Sequence, residues 1–221
     1  YIGLFIDDIN FSGIGGIGLL DDINQIEVFK GPQSVSFGSN AMAGVINIIS
    51  SSPKFNKSLL TKFSYSSNNS IRTNILYNHP ISKKLSSNIS LIKNSSDGFI
   101  KNDFINSNDT NGKDESLIKI KFLYSPKKTT KILLTNYYID LNNRYDAWTV
   151  DNNGFNTQSS DPGYDTQKSY ASSLKSIFNL NKLKITSITS YSDNNLFYSY
   201  DGDWGNLSMW ENTPYNWSIQ N

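Results

Sequence analysis

The sequence predicts an all-β transmembrane antiparallel barrel, represented by about seven strands and preceded by part of a small mixed α/β domain. Three observations support this fold class. Residues 1–53 are rich in glycine and short apolar runs, whereas residues 54–221 form segments in which polar and apolar residues alternate. The connections between those segments tend to alternate between short and long. Aromatic residues make up 13% of the chain while 37% is hydrophobic overall, a composition that suits sheet surfaces better than a large aliphatic core.

The N-terminal region is expected to fold as short buried strands joined by one helical turn. Its apolar runs, IGLFI, IEVF and GVINII, have the length and composition of such strands. Between the last two, Pro32 can begin a helical turn and Gly38 can end it. The region therefore predicts a strand, a helical turn and a second strand in a compact mixed domain.

A nucleotide-binding enzyme is an alternative interpretation of this region. The glycines of SGIGGIG have the spacing G-x-G-x-x-G, which can mark a strand-to-helix turn that holds a pyrophosphate. That interpretation needs a helix at residues 19–29 and an acidic ribose ligand about 20 residues beyond the glycines. Instead, β-favouring residues follow, Pro32 prevents a long helix, and Phe37 to Ser39 occupy the acidic position. The sequence therefore disfavours a nucleotide site.

From residue 55 onward, the chain alternates in polarity with the period of a β-strand. Each segment carries one apolar face, expected to meet lipid, and one polar face with mid-strand lysines, expected to line a wet lumen. In the fifth segment the apolar face consists of Leu133, Thr135, Tyr137 and Ile139. The predicted strands lie near residues 59–65, 71–77, 85–91, 118–124, 133–139, 170–180 and 183–191.

Connection lengths favour a barrel over a soluble sandwich. Outer-membrane barrels have short periplasmic turns and long extracellular loops. Apart from the first hairpin, the chain follows this rule, with long connections near 94–115, 142–168 and after 194. Tyrosines at or near predicted strand ends fit an interfacial girdle: Tyr65, Tyr77, Tyr124 and Tyr191. A soluble all-β carbohydrate-binding or adhesion module shares the alternation and remains the alternative.

The stretch LLDDINQIEVFKGPQSVSFGSNAMAGVINIIS is the most specific signal in the chain. It closely resembles the C-terminal part of the plug domain in TonB-dependent outer-membrane receptors. The matching positions are Ile26, Glu27, Val28, Lys30 to Gln33, Gly38, Asn40, Ala41 and Gly44 to Ile48, with mild departures at Phe37, Ser39 and Ala43. The resemblance implies that residues 1–53 are the C-terminal part of the plug domain and residues 54–221 the N-terminal strands of an outer-membrane β-barrel. Because the chain begins inside a strand-like run, YIGLFI, it is expected to be an internal fragment.

The resemblance also implies a function. Such receptors carry out active transport of a scarce nutrient across the bacterial outer membrane, driven through the TonB energy-coupling complex of the inner membrane. The nutrient is most often a ferric siderophore or other iron complex, and less often haem, cobalamin or a glycan. The expected partners are therefore that complex, an extracellular ligand and outer-membrane lipid. No bond is broken in such transport, so no enzyme activity, catalytic residue, metal site or cofactor is expected.

Ligand-binding residues are expected in the glycine turn and in the aromatic loops. Within a plug of this family, the turn SGIGGIG would face the extracellular cavity, which makes Gly15 and Gly16 candidates. Exposed Trp and Tyr beside acidic groups can stack on a ligand or equally hold a loop in shape. The loop candidates are Arg144, Tyr145, Trp148, Tyr200, Trp204 and Trp210.

Other charged and polar groups are expected to have structural roles. The pairs Asp7/Asp8 and Asp21/Asp22 are predicted to cap elements and form turns, because adjacent strand residues point to opposite faces and do not converge on one substrate atom. The single histidine, His79, is expected in a solvated turn, and without cysteine the chain lacks the commoner zinc ligands. The net charge of +1 with only two arginines argues against nucleic-acid binding.

Overall fold

The computed structural model describes residues 2–12, 21–38, 41–146, 148, 154–205 and 217–220. These residues form a small mixed sheet that packs against one face of a large antiparallel sheet, and two short strands in the loops pair separately. Within these ranges no helix has the length and apolar character needed to cross a membrane.

The small sheet comprises β1 (Ile2–Ile6), β2 (Ile9–Asn10), β3 (Ile23–Lys30) and β4 (Gly44–Ser50), in the order β2-β1-β4-β3. Strand β1 runs parallel to β4, and the other neighbours are antiparallel. Between β3 and β4, the single helical turn α1 (Ser34–Phe37) ends at Gly38, whose φ is 84°. The predicted strand, helical turn and strand are therefore confirmed, whereas the glycine turn lies in residues 13–20, outside the described residues.

The backbone at the start of β4 requires glycine. Gly44 has a φ of 155°, which L side chains rarely adopt. A Cβ atom at this position would lie 2.7 Å from the carbonyl oxygen of Phe29 on the neighbouring strand β3. Only glycine lets the two backbones approach this closely where the chain leaves α1 and enters the sheet.

The large sheet has eight strands and contains all seven that the sequence predicts. In chain order, the elements that follow β4 are β5 (Ser58–Ser66), β6 (Ser70–Pro80), β7 (Leu85–Ser96), β8 (Lys101–Asn102), β9 (Lys113–Lys127), β10 (Thr130–Tyr145), β11 (Asn156–Thr157), β12 (Gly163–Leu180), β13 (Leu183–Tyr198) and β14 (Trp217–Gln220). The order across the sheet is β14-β13-β12-β10-β9-β7-β6-β5, and every neighbouring pair is antiparallel. The prediction of an antiparallel sheet is confirmed, with β14 as an additional short strand.

Several strands are longer than predicted. Strand β12 spans 18 residues, whereas about 9–11 residues cross a bilayer. Its first residues, GYDTQKS, are mostly polar on both faces. Polar and apolar residues do not alternate in this part of β12. A prediction based on alternation therefore places the start of the strand too late in the sequence.

Short and long connections alternate along the sheet, as predicted. Lys128 and Thr129 alone separate β9 from β10, and Asn181 and Lys182 alone separate β12 from β13. At the opposite ends of the strands, long connections span residues 97–112 and 146–162. We refer to the two ends of the large sheet as the short-turn end and the long-loop end.

The two faces of the large sheet have the reverse polarity of a soluble protein. Its inner face, against the small sheet, buries polar side chains such as Asn88, Ser90 and Lys119 completely. Its outer face leaves apolar side chains exposed, including Ile118 at 39% and Leu174 at 44% of full accessibility. In a soluble sandwich the apolar faces would pack together, so this arrangement favours a lipid-facing exterior and disfavours the carbohydrate-binding or adhesion alternative.

Strand β10 departs from the expected orientation. The predicted lipid-facing set of Thr135, Tyr137 and Ile139 faces inward instead and is buried. The reason is that the small sheet presents its own apolar cluster here, including Phe11, whose ring meets that of Tyr137 edge-on at 6.0 Å between centroids. Apolar packing onto the small sheet thus buries this set, while Leu134 and Tyr138 on the other face of β10 lie beside the outward-facing Leu174 and Tyr170.

The proposed girdle and turn residues can also be placed. Tyr65, Tyr124 and Tyr191 are exposed on the outer face, but Tyr191 lies in the middle of β13 because that strand is longer than predicted. The expectation that His79 lies in a turn is wrong, since it is the second-last residue of β6 and its ring stacks on Tyr77 with centroids 5.8 Å apart.

Candidate functional site

Two long loops are joined at the long-loop end through Asn102. This residue lies in β8, which pairs in parallel with β11 from the next long loop. Its buried Nδ2 donates hydrogen bonds to Oδ2 of Asp146 and to the carbonyl oxygen of Ser159, both at 2.9 Å. Its Oδ1 accepts a bond of 3.0 Å from the backbone N–H of Phe104. A fully satisfied buried amide fixes the relative position of the loops.

An aromatic cluster lies beside this junction and consists of Tyr145, Trp148, Tyr198, Tyr200 and Trp204. The indoles of Trp148 and Trp204 stack with centroids 5.8 Å apart, and the Trp148 Nε1 donates to the Tyr145 hydroxyl at 2.6 Å. Tyr198 contacts Tyr145 and Tyr200 with centroid distances of 5.1 and 5.8 Å. Trp148 is 47% and Trp204 43% exposed, so both indoles keep surface available for stacking on a ligand.

Two carboxylates, Asp146 and Asp201, line a small pocket together with Tyr145, Trp148, Tyr200 and Trp204. Asp146 is buried and accepts bonds from Asn102 and from the Thr157 hydroxyl, the latter at 2.9 Å. Asp201 accepts a bond of 2.7 Å from the Ser159 hydroxyl. Burial, together with the neighbouring Asp201, raises the pKa of Asp203 above its ordinary value. The pocket therefore combines open aromatic faces with the carboxylates of Asp146 and Asp201. In the described part of the chain, no three acidic, histidine or cysteine side chains are grouped so that they could hold a metal ion.

The structure brings together four of the predicted ligand residues: Tyr145, Trp148, Tyr200 and Trp204. Arg144 is exposed on the opposite face of β10 from Tyr145, because neighbouring strand residues point apart. Gly15, Gly16 and Trp210 lie outside the described residues. Sequence reasoning missed Tyr198, although its spacing of two from Tyr200 places both on one face of an extended chain.

A second polar site connects the small sheet with the wall formed by the large sheet. Asp7 and Asp8 form the turn between β1 and β2, with φ values of 50° and 68°, so the predicted turn role of this pair is correct. Both acidic pairs also form ion pairs that were not predicted. All four carboxylates are on the small sheet and all four cations are on the wall: Asp7 with Lys121 at 2.9 Å, Asp8 with Lys175 at 2.9 Å, Asp21 with Arg72 at 3.1 Å, and Asp22 with Lys119.

The two central pairs are buried and belong to one hydrogen-bonded network, the Asp7 cluster, which comprises Asp7, Asp22, Ser50, Lys119, Lys121 and Tyr137. Ser50 donates to Asp7 through its backbone N–H at 2.9 Å and its hydroxyl at 2.7 Å. The Tyr137 hydroxyl donates to Asp7 at 2.5 Å, and Lys119 donates to the Ser50 hydroxyl at 2.8 Å. The side chains of Lys119 and Lys121 are 0% and 1% exposed. Their charges therefore depend on the small sheet for compensation.

The network keeps Asp7 ionised. Burial by itself raises the pKa of Asp7, but the positive charge of Lys121 and hydrogen bonds from Lys121, Tyr137 and Ser50 outweigh burial, so the pKa lies below its usual value. Removing one partner of a buried ion pair costs about 3–5 kcal/mol, since the other charge is left uncompensated. The Asp7 cluster is therefore a strong attachment of the small sheet to the wall.

Sequence comparison finds relatives that are receptors. No known protein-family profile matches the chain. The pesticin receptors of Yersinia enterocolitica and Yersinia pestis are 26% identical to it over 126 residues, which is 57% of this chain and 19% of each relative.

Structural comparison agrees. The ferric yersiniabactin uptake receptor of Yersinia pestis superposes with a TM-score of 0.77 and 19% identity, covering 91% of this chain and 33% of that protein. The siderophore receptor of Acinetobacter baumannii gives a TM-score of 0.72 and 17% identity, covering 89% and 29%. The chain thus spans about a third of these structures, and the names of the relatives are those of receptors, not of enzymes. The chain has the fold of about a third of a TonB-dependent outer-membrane receptor.

Proposed function

We propose that this chain serves the TonB-dependent active transport of a ferric siderophore or another iron complex across the bacterial outer membrane. In this proposal residues 1–53 are the C-terminal part of the plug and residues 54–221 are the first barrel strands. The observation that carries the proposal is the reversed polarity of the large sheet, which buries lysines against the small sheet and exposes leucine and isoleucine outside. The names of the structurally similar receptors support an iron complex as the ligand.

The two polar sites have different roles in this transport. The aromatic cluster at the long-loop end receives the ligand from outside the cell, and the small sheet blocks the lumen beneath it. The ion pairs between the small sheet and the wall hold the block closed. Energy supplied through TonB moves the small sheet. Separating the buried ion pairs of the Asp7 cluster requires more free energy than separating the exposed pairs, since each broken pair leaves a buried lysine without its partner. No covalent chemistry is required.

The charge of the loops narrows the ligand class. Segments 97–112, 146–162 and 199–216 each contain three acidic residues, and Lys101 is their only basic residue. Loops with a net negative charge attract cations and repel anions over distances of about a Debye length, roughly 8–10 Å. The chain therefore favours an iron complex that is neutral or positively charged and that carries a flat group able to stack on Trp148 or Trp204.

Ligand binding tests this function directly. The full-length protein in detergent is titrated with a panel of ferric siderophores of known charge, and binding is followed by quenching of tryptophan fluorescence. Replacement of both stacked indoles by alanine, W148A/W204A, is expected to weaken binding at least about tenfold, since aromatic anchors contribute about 2 kcal/mol or more. The matched control F104A, an exposed aromatic of another loop, should bind like the wild type.

Uptake measurements complete the test. Cells that lack the gene should lose accumulation of radioactive iron from the bound complex and regain it with the wild-type gene. If no iron complex binds and uptake is unchanged by the deletion, the proposed function is wrong.

A further inference from the structure

Lysines are concentrated in the turns of the short-turn end. Three turns, with the strand residues that adjoin them, carry two lysines each, and together these residues form what we call the lysine rim: Lys83, Lys84, Lys127, Lys128, Lys182 and Lys184. All six are exposed. Within segments 81–84, 125–129 and 181–184 there is no aspartate or glutamate. None of the six takes part in an ion pair within the described ranges.

Sheet topology places these turns side by side. They close the hairpins β6–β7, β9–β10 and β12–β13, and β7 pairs with β9 while β10 pairs with β12. Three consecutive hairpins therefore present their turns side by side at the short-turn end. Six positive charges at this end create a local positive potential, and no acidic side chain of the same turns reduces it.

The connections at the long-loop end carry the opposite charge. Seven of their described residues are acidic, and Lys101 is the only basic one among those described. Charge spread for solubility alone would place both signs in the connections at both ends, whereas the lysines near the long-loop end, Lys93, Lys113 and Lys168, lie in strands. The separation along the strand direction instead indicates that the two ends meet different surroundings.

Apolar side chains adjoin the lysine rim on the outer face. Leu180 and Leu183 flank one turn, and each is 57% exposed. Phe178 on β12 is 36% exposed, and Tyr124 on β9 is 43% exposed. A band of exposed aromatic and aliphatic residues bordered by lysines has the composition of a membrane interface, in which rings and leucines meet acyl chains and ammonium groups meet phosphates. A soluble acidic partner would need the lysines but not the apolar band.

We propose that the lysine rim binds the headgroups of anionic phospholipids in the leaflet that the short turns face. This inference rests on the proposed function, because it requires the sheet to span a membrane. The ligand chemistry is a phosphodiester headgroup with a net negative charge, held by several ammonium groups, with acyl chains against the outward leucines. The acidic long-loop end should show no such preference.

Lipid selectivity of the full-length protein tests the proposal. The protein is reconstituted in phosphatidylcholine vesicles that contain a minor fraction of spin-labelled phosphatidylglycerol or spin-labelled phosphatidylcholine, and the immobilised fraction of each label is measured by electron paramagnetic resonance. The rim variant K83Q/K84Q/K128Q/K182Q is compared with a control of equal charge change at the other end, K93Q/K101Q/K113Q/K168Q.

The wild type and the control should associate with phosphatidylglycerol in preference to phosphatidylcholine by the same factor. The rim variant should lose most of this preference, because one lysine near a membrane surface corresponds to about a fivefold change in affinity. High salt should reduce the preference of the wild type as well.

Other outcomes overturn the proposal in distinguishable ways. The rim variant and the wild type could prefer phosphatidylglycerol equally, or neither could prefer it. Either result would assign the lysines to a soluble acidic partner and would overturn this inference alone. Failure of the wild type to enter vesicles at all would overturn both this inference and the proposed function.

Discussion

Replacing Asp7 by asparagine tests whether the Asp7 cluster holds the small sheet to the wall. Asparagine keeps the size of the side chain and tolerates the left-handed backbone at φ 50°, so the turn itself should persist. The carboxylate that accepts bonds from Ser50, Lys121 and Tyr137 is lost. Lys121, whose side chain is 1% exposed, then remains charged without its partner.

The expected cost follows from burial. Removing one member of a buried ion pair costs about 3–5 kcal/mol, which corresponds to at least about a hundredfold increase in local opening. The adjacent Asp8 provides a matched control in the same turn. Its pair with Lys175 is 24% and 31% exposed, so Asp8→Asn should cost no more than about 1 kcal/mol.

Hydrogen exchange measured by mass spectrometry on the full-length protein in detergent resolves the two regions. In Asp7→Asn, amides of β1 and β4 should exchange faster by this factor while amides of β9 and β10 far from the cluster stay protected. The double variant D7N/K121M, which removes both charges, should recover part of the protection. Equal effects of Asp7→Asn and Asp8→Asn, or protection of β1 and β4 unchanged in Asp7→Asn, would refute the argument that buried charge attaches the small sheet.

Three further predictions follow from the same structure. The pKa of Asp7 is lowered in the folded state, so its contribution to stability should be fully present above its unfolded pKa of about 3.9. This contribution should be lost as the pH falls through the folded pKa. Denaturant titrations from pH 7 to pH 3 should show the loss in the wild type and a smaller loss in Asp7→Asn. Gly44→Ala should destabilise the small sheet by about 1–3 kcal/mol, because the added Cβ would lie 2.7 Å from the Phe29 carbonyl oxygen and the backbone φ is 155°. Faster hydrogen exchange of β3 and β4 amides would show this destabilisation, whereas wild-type exchange rates would contradict it. Leu174→Arg, on the exposed apolar face, should lower the free energy of unfolding in vesicles by about 2–4 kcal/mol, the cost of an arginine near the bilayer midplane. Thr166→Arg, nearer the long-loop end, should have little effect. Equal and small effects of the two would argue against a lipid-facing exterior.

The fold could be predicted from the sequence to a large extent because its signals are local. Alternation from Leu59 to Tyr65 and its repeats locate the strands, and paired lysines or Pro126 locate the turns between them. The candidate ligand site was predictable in part, since Trp148 and Trp204 lie in connections too long for simple turns. Local signals fail where both faces of a strand are polar, so the sequence pattern predicts a loop for the polar first half of β12.

The attachment of the small sheet to the wall was not predictable for a different reason. Asp22 and Lys119 are 97 residues apart, and Asp8 and Lys175 are 167 residues apart. Nothing in the immediate sequence of either residue specifies its partner. The sequence therefore predicts only turn and cap roles for the acidic pairs, which is correct for Asp7 and Asp8 but omits their ion pairs.

The sequence by itself determined that these segments are strands with one apolar and one polar side, and that short turns alternate with long loops, because side-chain period and turn residues act between near neighbours in the chain. Only the tertiary structure decided which side faces inward. On β9 the polar side meets the small sheet, whereas on β10 Tyr137 and Ile139 do so, since Ile6, Ile9 and Phe11 of the small sheet offer them an apolar surface. Orientation depends on what lies opposite each strand, and that is set by the register and packing of distant segments rather than by the pattern within any one of them.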